Sequence, residues 1–116
     1  MREIHEGQRY DPFLLAQLES IAAGRPTSFR VGSDGVLRLG DRVCVPSVPE
    51  LRQLILEEGH RSGLSIHPGA TKMYQDLRKT FWWPGMKREI SAFVYACLVC
   101  QKAKIEYQKP SGMLQP

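Results

Sequence analysis

A chain of 116 residues with 42% hydrophobic content is expected to be one domain, or a domain with an appendage, with a modest core; it has no apolar run long enough to span a membrane and no apolar signal region after Met1, so it reads as intracellular. Three cysteines, only two of them closely spaced, do not make the disulfide framework of a small secreted protein and are read as reduced thiols. The net charge of +4 is uneven: residues 1–59 carry seven arginines against nine carboxylates, a balance of −2, whereas residues 60–104 carry Arg61, Lys72, Arg78, Lys79, Lys87, Arg88, Lys102 and Lys104 against Asp76 and Glu89, a balance of +6 that suits a phosphate backbone or simply a solvated basic face.

Residues 1–9 are polar and aperiodic and are expected to fray. A helix is predicted from Asp11-Pro12, with Asp11 as N-cap and Pro12 in the first helical position, carrying Leu14, Leu15, Leu18, Ile21 and Ala22 on one face and ending at Gly24 and Pro26. Next come three short strands, Phe29–Val31, Val36–Leu39 and Arg42–Val45. They are separated by Gly32-Ser33-Asp34-Gly35 and by Gly40-Asp41, whose leading glycine suits a tight hairpin, and Pro46 ends the meander. Cys44, between two valines, is read as a small buried thiol.

From Ser47 the pattern turns helical. Ser47-Val48-Pro49-Glu50 has the form of a capping box, Leu51, Leu54 and Ile55 continue as an apolar stripe, and Gly59 is expected to close this helix just before His60. A polar loop, 61–66, leads to His67-Pro68-Gly69, and Pro68 opens a second helix with Ala70, Met73, Tyr74 and Leu77 on one face. Phe81-Trp82-Trp83-Pro84-Gly85 breaks it; the two tryptophans either stack on bases or, as the commoner use, pack in the core. A third helix carries Met86, Ile90, Phe93, Val94 and Cys97 inward, with Cys100 one turn further at the helix end. Residues 109–116 read as a linker.

Four residues stand out chemically. His60 and His67, with six residues between them, are followed after a spacer of 29 by Cys97 and Cys100, with two between. Two imidazoles and two thiolates are the donor set of a tetrahedral structural zinc site, here in the reverse order of the common finger. Cys-x-x-Cys also serves redox chemistry when it opens a helix after a strand, but this pair is placed at a helix end, where the helix dipole opposes a thiolate unless a cation compensates. His5 has no partner at ligand spacing and is read as solvated. With four protein ligands no coordination position stays open for an activated water, and Glu50, Glu57, Glu58, Asp76, Glu89 and Glu106 are a cap, a helix surface or isolated acids, so no catalytic arrangement is expected. The expected fold is α+β: an N-terminal helix and antiparallel meander, then a zinc-stabilised bundle of three to four helices whose small core depends on the metal.

The runs Glu57-Glu58-Gly59-His60, Leu64 to Lys72, Phe81 to Met86 and Cys97-Leu98-Val99-Cys100-Gln101 resemble the His-His-Cys-Cys zinc-binding domain of integrases from gypsy-type LTR retrotransposons. The likeness covers residues 47–109, with 1–46 similar to the extension such integrases carry ahead of that domain and 110–116 similar to the linker into the catalytic core. It implies that His60, His67, Cys97 and Cys100 hold one structural Zn²⁺ and that the second and third helices have helix-turn-helix character. It also implies a non-catalytic role in oligomerising integrase chains and engaging the element's DNA ends, in the nucleus after cytoplasmic synthesis, with no membrane or small-molecule substrate. The residues expected to meet DNA are Lys72, Arg78, Lys79, Lys87, Arg88, Lys102 and Lys104. Two other classes stay open. An autonomous regulator would read bases with its third helix, whose outward positions Lys87, Arg88, Glu89 and Ser91 include no Asn or Gln. A thiol oxidoreductase would need Cys97 or Cys100 reactive in the metal-loaded protein.

Overall fold

The computed structural model describes residues 1–61 and 69–108, with side chains for 1–60 and 69–98. Among these the chain is α+β, with five helices and a four-stranded sheet, and no helix is long and apolar enough to cross a membrane.

The polar leader does not fray. It forms helix α1 (Arg2–Gln8), with Ile4 buried against Val36 and Val43. What anchors it is a side chain: the Gln8 amide donates to the backbone carbonyls of Leu37 (3.1 Å) and Cys44 (2.7 Å) and accepts from the Leu37 N–H (2.9 Å), so a buried glutamine bridges two strands. Helix α2 (Pro12–Ala22) begins as expected. One Asp11 oxygen accepts from the N–H groups of Phe13 (2.9 Å) and Leu14 (3.2 Å), satisfying free donors of the first turn, with Pro12 behind the cap. The other Asp11 oxygen accepts from the Ser47 N–H (2.8 Å), which ties the start of α2 to the entrance of the next helix. Leu14 is buried, with Leu18 and Ile21 beside it, but Leu15 and Ala22 are exposed, so the inward stripe is narrower than expected.

Strands β1 (Phe29–Val31), β2 (Leu37–Leu39) and β3 (Arg42–Cys44) form the antiparallel meander, paired Phe29 with Leu39 and Arg38 with Val43. Gly40 turns the second hairpin at φ +63, a backbone region where an L side chain is strained. A fourth strand, β4 (Phe81–Trp82), was read only as a helix breaker. It runs parallel to β3, with Val43 opposite Phe81 and Cys44 opposite Trp82; the N–H of Val43 donates to Thr80 (2.6 Å) and that of Val45 to Trp82 (2.9 Å). Parallel neighbours require a long crossover, and the helices α3 (Pro49–Arg61) and α4 (Ala70–Leu77) lie within it.

Helix α3 starts at Pro49, in the position where a missing N–H costs nothing, and the Leu51 and Arg52 amides donate to the Val48 carbonyl. No Ser47–Glu50 capping box forms among the described residues, because the Ser47 backbone is committed to Asp11. The inward face of α3 also differs: Leu54 is 63% exposed, and Leu56 is buried in its place. Arg52 sets that phase. Its guanidinium lies 5.3 Å from the Trp83 ring centroid, donates to the Val45 carbonyl (3.2 Å) and pairs with Glu89 (3.5 Å), which also accepts from the Trp83 indole N–H (3.0 Å). Burial pushes the Arg52 guanidinium down and Glu89 opposes that shift. Glu89 therefore turns inward, not outward as its helical position alone implied.

Helix α3 continues past Gly59 to Arg61. A Cβ on Gly59 would sit 2.9 Å from Cδ2 of Leu77, so the glycine lets α3 and α4 approach closely. Helix α5 (Met86–Gln108) runs well beyond the expected stop, and Met86, Ile90 and Val94 share one core with Val45, Leu56, Met73, Leu77 and Trp83. That core draws on the segment before Pro46 as well as on the helices after it.

The role of Gln8 is testable. Gln8→Ala leaves buried backbone groups of Leu37 and Cys44 without partners and is expected to lower the unfolding free energy by about 3 kcal/mol in urea titration. Unchanged stability would mean that the Gln8 bridge contributes nothing to the fold.

Candidate metal centre

His60 is the penultimate residue of α3 and is half-buried. Its ring meets Phe93 of α5 edge to face, with centroids 5.7 Å apart and an interplanar angle of 77°. Phe93 lies one helical turn before Cys97, and residues four apart on a helix are neighbours on one face, so Cys97 follows one turn beyond the residue that His60 packs on. Cys97 is half-buried there. Because α5 is unbroken to Gln108, Cys97 and Cys100 lie within a helix and not at its end, and their spacing of three sets both on one face. The dipole argument for a metal at a helix terminus is thereby lost. What remains is an imidazole packed on α5 one turn from a thiol, two donor types that suit the borderline-soft preference of zinc.

His67 and the side chain of Cys100 lie outside the described residues. Among the described residues no group of three or more His, Cys, Asp or Glu gathers as a metal site. The remaining thiol and imidazole are elsewhere. Cys44 is fully buried beneath α2, where burial pushes its thiol up to about 12. His5 is half-buried, with its Nε2 3.5 Å from an Arg9 nitrogen and close to Gly35, far from a purely solvated side chain.

The basic residues fall into distinct settings. Lys72 pairs with Asp76 (3.2 Å) on the exposed side of α4, and Lys79 is exposed. Arg78 and Lys87 both lie against Tyr74, at 5.6 and 5.7 Å from its ring centroid. Arg88 is exposed beside Gly85, and the side chains of Lys102 and Lys104 lie outside the described residues. A groove of about 330 Å³ is lined by Arg42, Tyr74, Trp82, Pro84, Lys87 and Arg88, among others. Arg42 was missed in the sequence because its position depends on β4: its Nε donates to the Phe81 carbonyl at 3.2 Å. Both tryptophans pack. Trp83 is 1% exposed in the core, and Trp82 is half-buried with Phe29 (5.5 Å) and Phe13 (6.1 Å).

A family model for the integrase zinc binding domain matches residues 48–106. The Transposon Tf2-3, Tf2-4 and Tf2-5 polyproteins of Schizosaccharomyces pombe are each 33% identical over 84 residues, 72% of this chain. The chain spans only 6% of the length of these curated relatives. No solved structure matches it.

The three thiols should respond differently to a labelling reagent at pH 8. In the zinc-loaded protein none reacts promptly; chelation exposes Cys97 and Cys100; Cys44 reacts only on unfolding, since its buried thiol stays protonated. Prompt labelling of Cys97 with metal present would contradict the site. The Cys44 shift also has a sign: its contribution to stability is intact below the ordinary thiol value of 9.0 and falls as the pH rises from there toward 12.

Proposed function

We infer the role of this chain from the fact that it belongs to the integrase zinc-binding domain family, whose metal is zinc. We propose that it is the non-catalytic N-terminal region of a retrotransposon integrase, which assembles integrase chains with one another and engages the ends of the element's DNA in the nucleus. The observation that carries this reading is the meeting of His60 with Phe93, one turn from Cys97, inside the matched segment. On this reading His60, His67, Cys97 and Cys100 hold one zinc, closing α3 onto α5. A site filled by four protein ligands supports folding and leaves no position for an activated water. Residues 47–109 form the metal module, 1–46 the extension docked on it, and 110–116 lead toward a catalytic core. The transposon polyproteins, of which the chain matches a small part, support a piece of a larger machine.

The same geometry favours phosphate contact over a base code. Lys87, Arg88 and Ser91 are exposed on α5, while Glu89 is turned inward. The connection from Arg78 to Gly85 contains β4 and is longer than the turn of three or four residues in a DNA-reading helix-turn-helix. An autonomous regulator reading bases through α5 is therefore the weaker reading.

The zinc-loaded chain is expected to bind duplexes of unrelated sequence with similar affinity, and to lose that binding with rising salt and on chelation. Replacing Lys87 and Arg88 together by Ala should weaken binding equally for every sequence and reduce the salt slope by about 2. Binding confined to one sequence and insensitive to salt would overturn the assembly reading in favour of a regulator.

A further inference from the structure

Tyr74 gathers like charges. Arg78 follows it by one turn on the same helix, and Lys87 reaches it from the second residue of α5; both cations lie within 6 Å of one ring centroid. Cations over an aromatic face are attracted by the ring quadrupole, and that attraction here offsets their mutual repulsion. The nearby ion pairs are Lys72–Asp76 and Arg52–Glu89, and among the described residues no carboxylate pairs with Arg78, Lys87, Arg88 or Arg42. Arg42 also lines the groove, from β3, with its Nε held by the Phe81 carbonyl and Nη2 3.8 Å from the Met86 sulfur.

A concave surface lined by cations from both a strand and a helix, with no carboxylate among its lining residues, is complementary to a polyanion. We propose that this groove holds the phosphate backbone of DNA, with Tyr74 as the positioning residue that presents Lys87 within the groove and Arg78, which does not line it, on the same ring beside it, and with Arg42 supplied by the N-terminal strands. The proposal rests on the integrase reading and goes beyond it in one respect. The strand segment then contributes a phosphate ligand of its own, and the groove exists only because β4 pairs with β3. Lys72, paired with Asp76, is outside the groove and is not a principal contact.

The test is fluorescence anisotropy of the zinc-loaded full chain with a labelled duplex over a range of salt concentrations. Tyr74→Phe keeps the aromatic face and should bind within about twofold of the unmodified chain, while Tyr74→Leu, at equal zinc content and helicity, should bind roughly five- to tenfold more weakly. Arg42→Gln and Arg78→Gln should each lower the salt slope by about 0.9, and Lys72→Gln should leave it unchanged. Arg78 is at the surface, so its variant remains informative even where Tyr74→Leu fails to fold. Unchanged affinity and slope in Arg42→Gln and Arg78→Gln, with binding still weakened by the Lys87/Arg88 double replacement, would overturn the groove while leaving the integrase reading standing. Competition by poly-glutamate as effective as by DNA of equal charge would overturn the choice of DNA in favour of an acidic protein. No binding of any DNA by the unmodified chain would overturn the integrase reading together with the groove.

Discussion

The pairing of β3 with β4 is the constraint on which the other features depend. It joins residues nearly forty positions apart, Val43 with Phe81 and Cys44 with Trp82, and so fixes the start of α5 against the N-terminal meander. Trp83 follows directly into the core, where its indole N–H holds Glu89, Glu89 holds Arg52, and Arg52 returns to the Val45 carbonyl at the end of β3. The loop of contacts is closed: it gives partners to the Trp83 indole N–H and to both terminal nitrogens of Arg52, whose buried Nε is left without one, and an unpaired buried polar group costs about 1–3 kcal/mol. Arg42 is aimed by the same strand pair, through the Phe81 carbonyl.

On the proposed reading zinc acts at the opposite end of this assembly. Near the sheet, α3 and α5 are held by the Arg52–Glu89–Trp83 network; away from it, the contacts are His60 on Phe93 and the Cys97 turn. Structural zinc contributes on the order of 10 kcal/mol in small domains that cannot fold without it. Here the helices are already fastened at one end by strands and hydrogen bonds. The metal's role on the proposed reading is thus to fix the end of α3 to the middle of α5, the stretch that carries Cys97 and Cys100.

Much of this was legible in the sequence where the signal is local. Asp11-Pro12 marked a helix start, the Gly40 hairpin marked the meander, and the spacing of Met73 with Leu77, and of Met86, Ile90, Phe93 and Val94, gave the inward faces of α4 and α5 correctly. What was not legible depends on distant partners. Gln8 looks like a polar leader residue until Leu37 and Cys44 are beside it, and the two residues of β4 carry no periodicity from which a strand can be read. Gly59 had the look of a helix stop, but its reason is Leu77 on the next helix. The stripe on α3 was misread because a charged residue, Arg52, occupies an inward position with its own partners. Of the four residues expected to hold zinc, His60 packs on Phe93, one turn from Cys97 on α5, and His67 and the Cys100 side chain lie outside the described residues.

Native-state hydrogen exchange tests the strand joint most directly, through the amides of Val43 and Val45, which donate to Thr80 and Trp82, compared with the amide of Ile90 in the core of α5. If β3–β4 organises the molecule, these amides open only when Ile90 does, with the same free energy, in a single cooperative unfolding. If Val43 and Val45 exchange freely while Ile90 stays protected, the meander is an appendage and the helices stand without it.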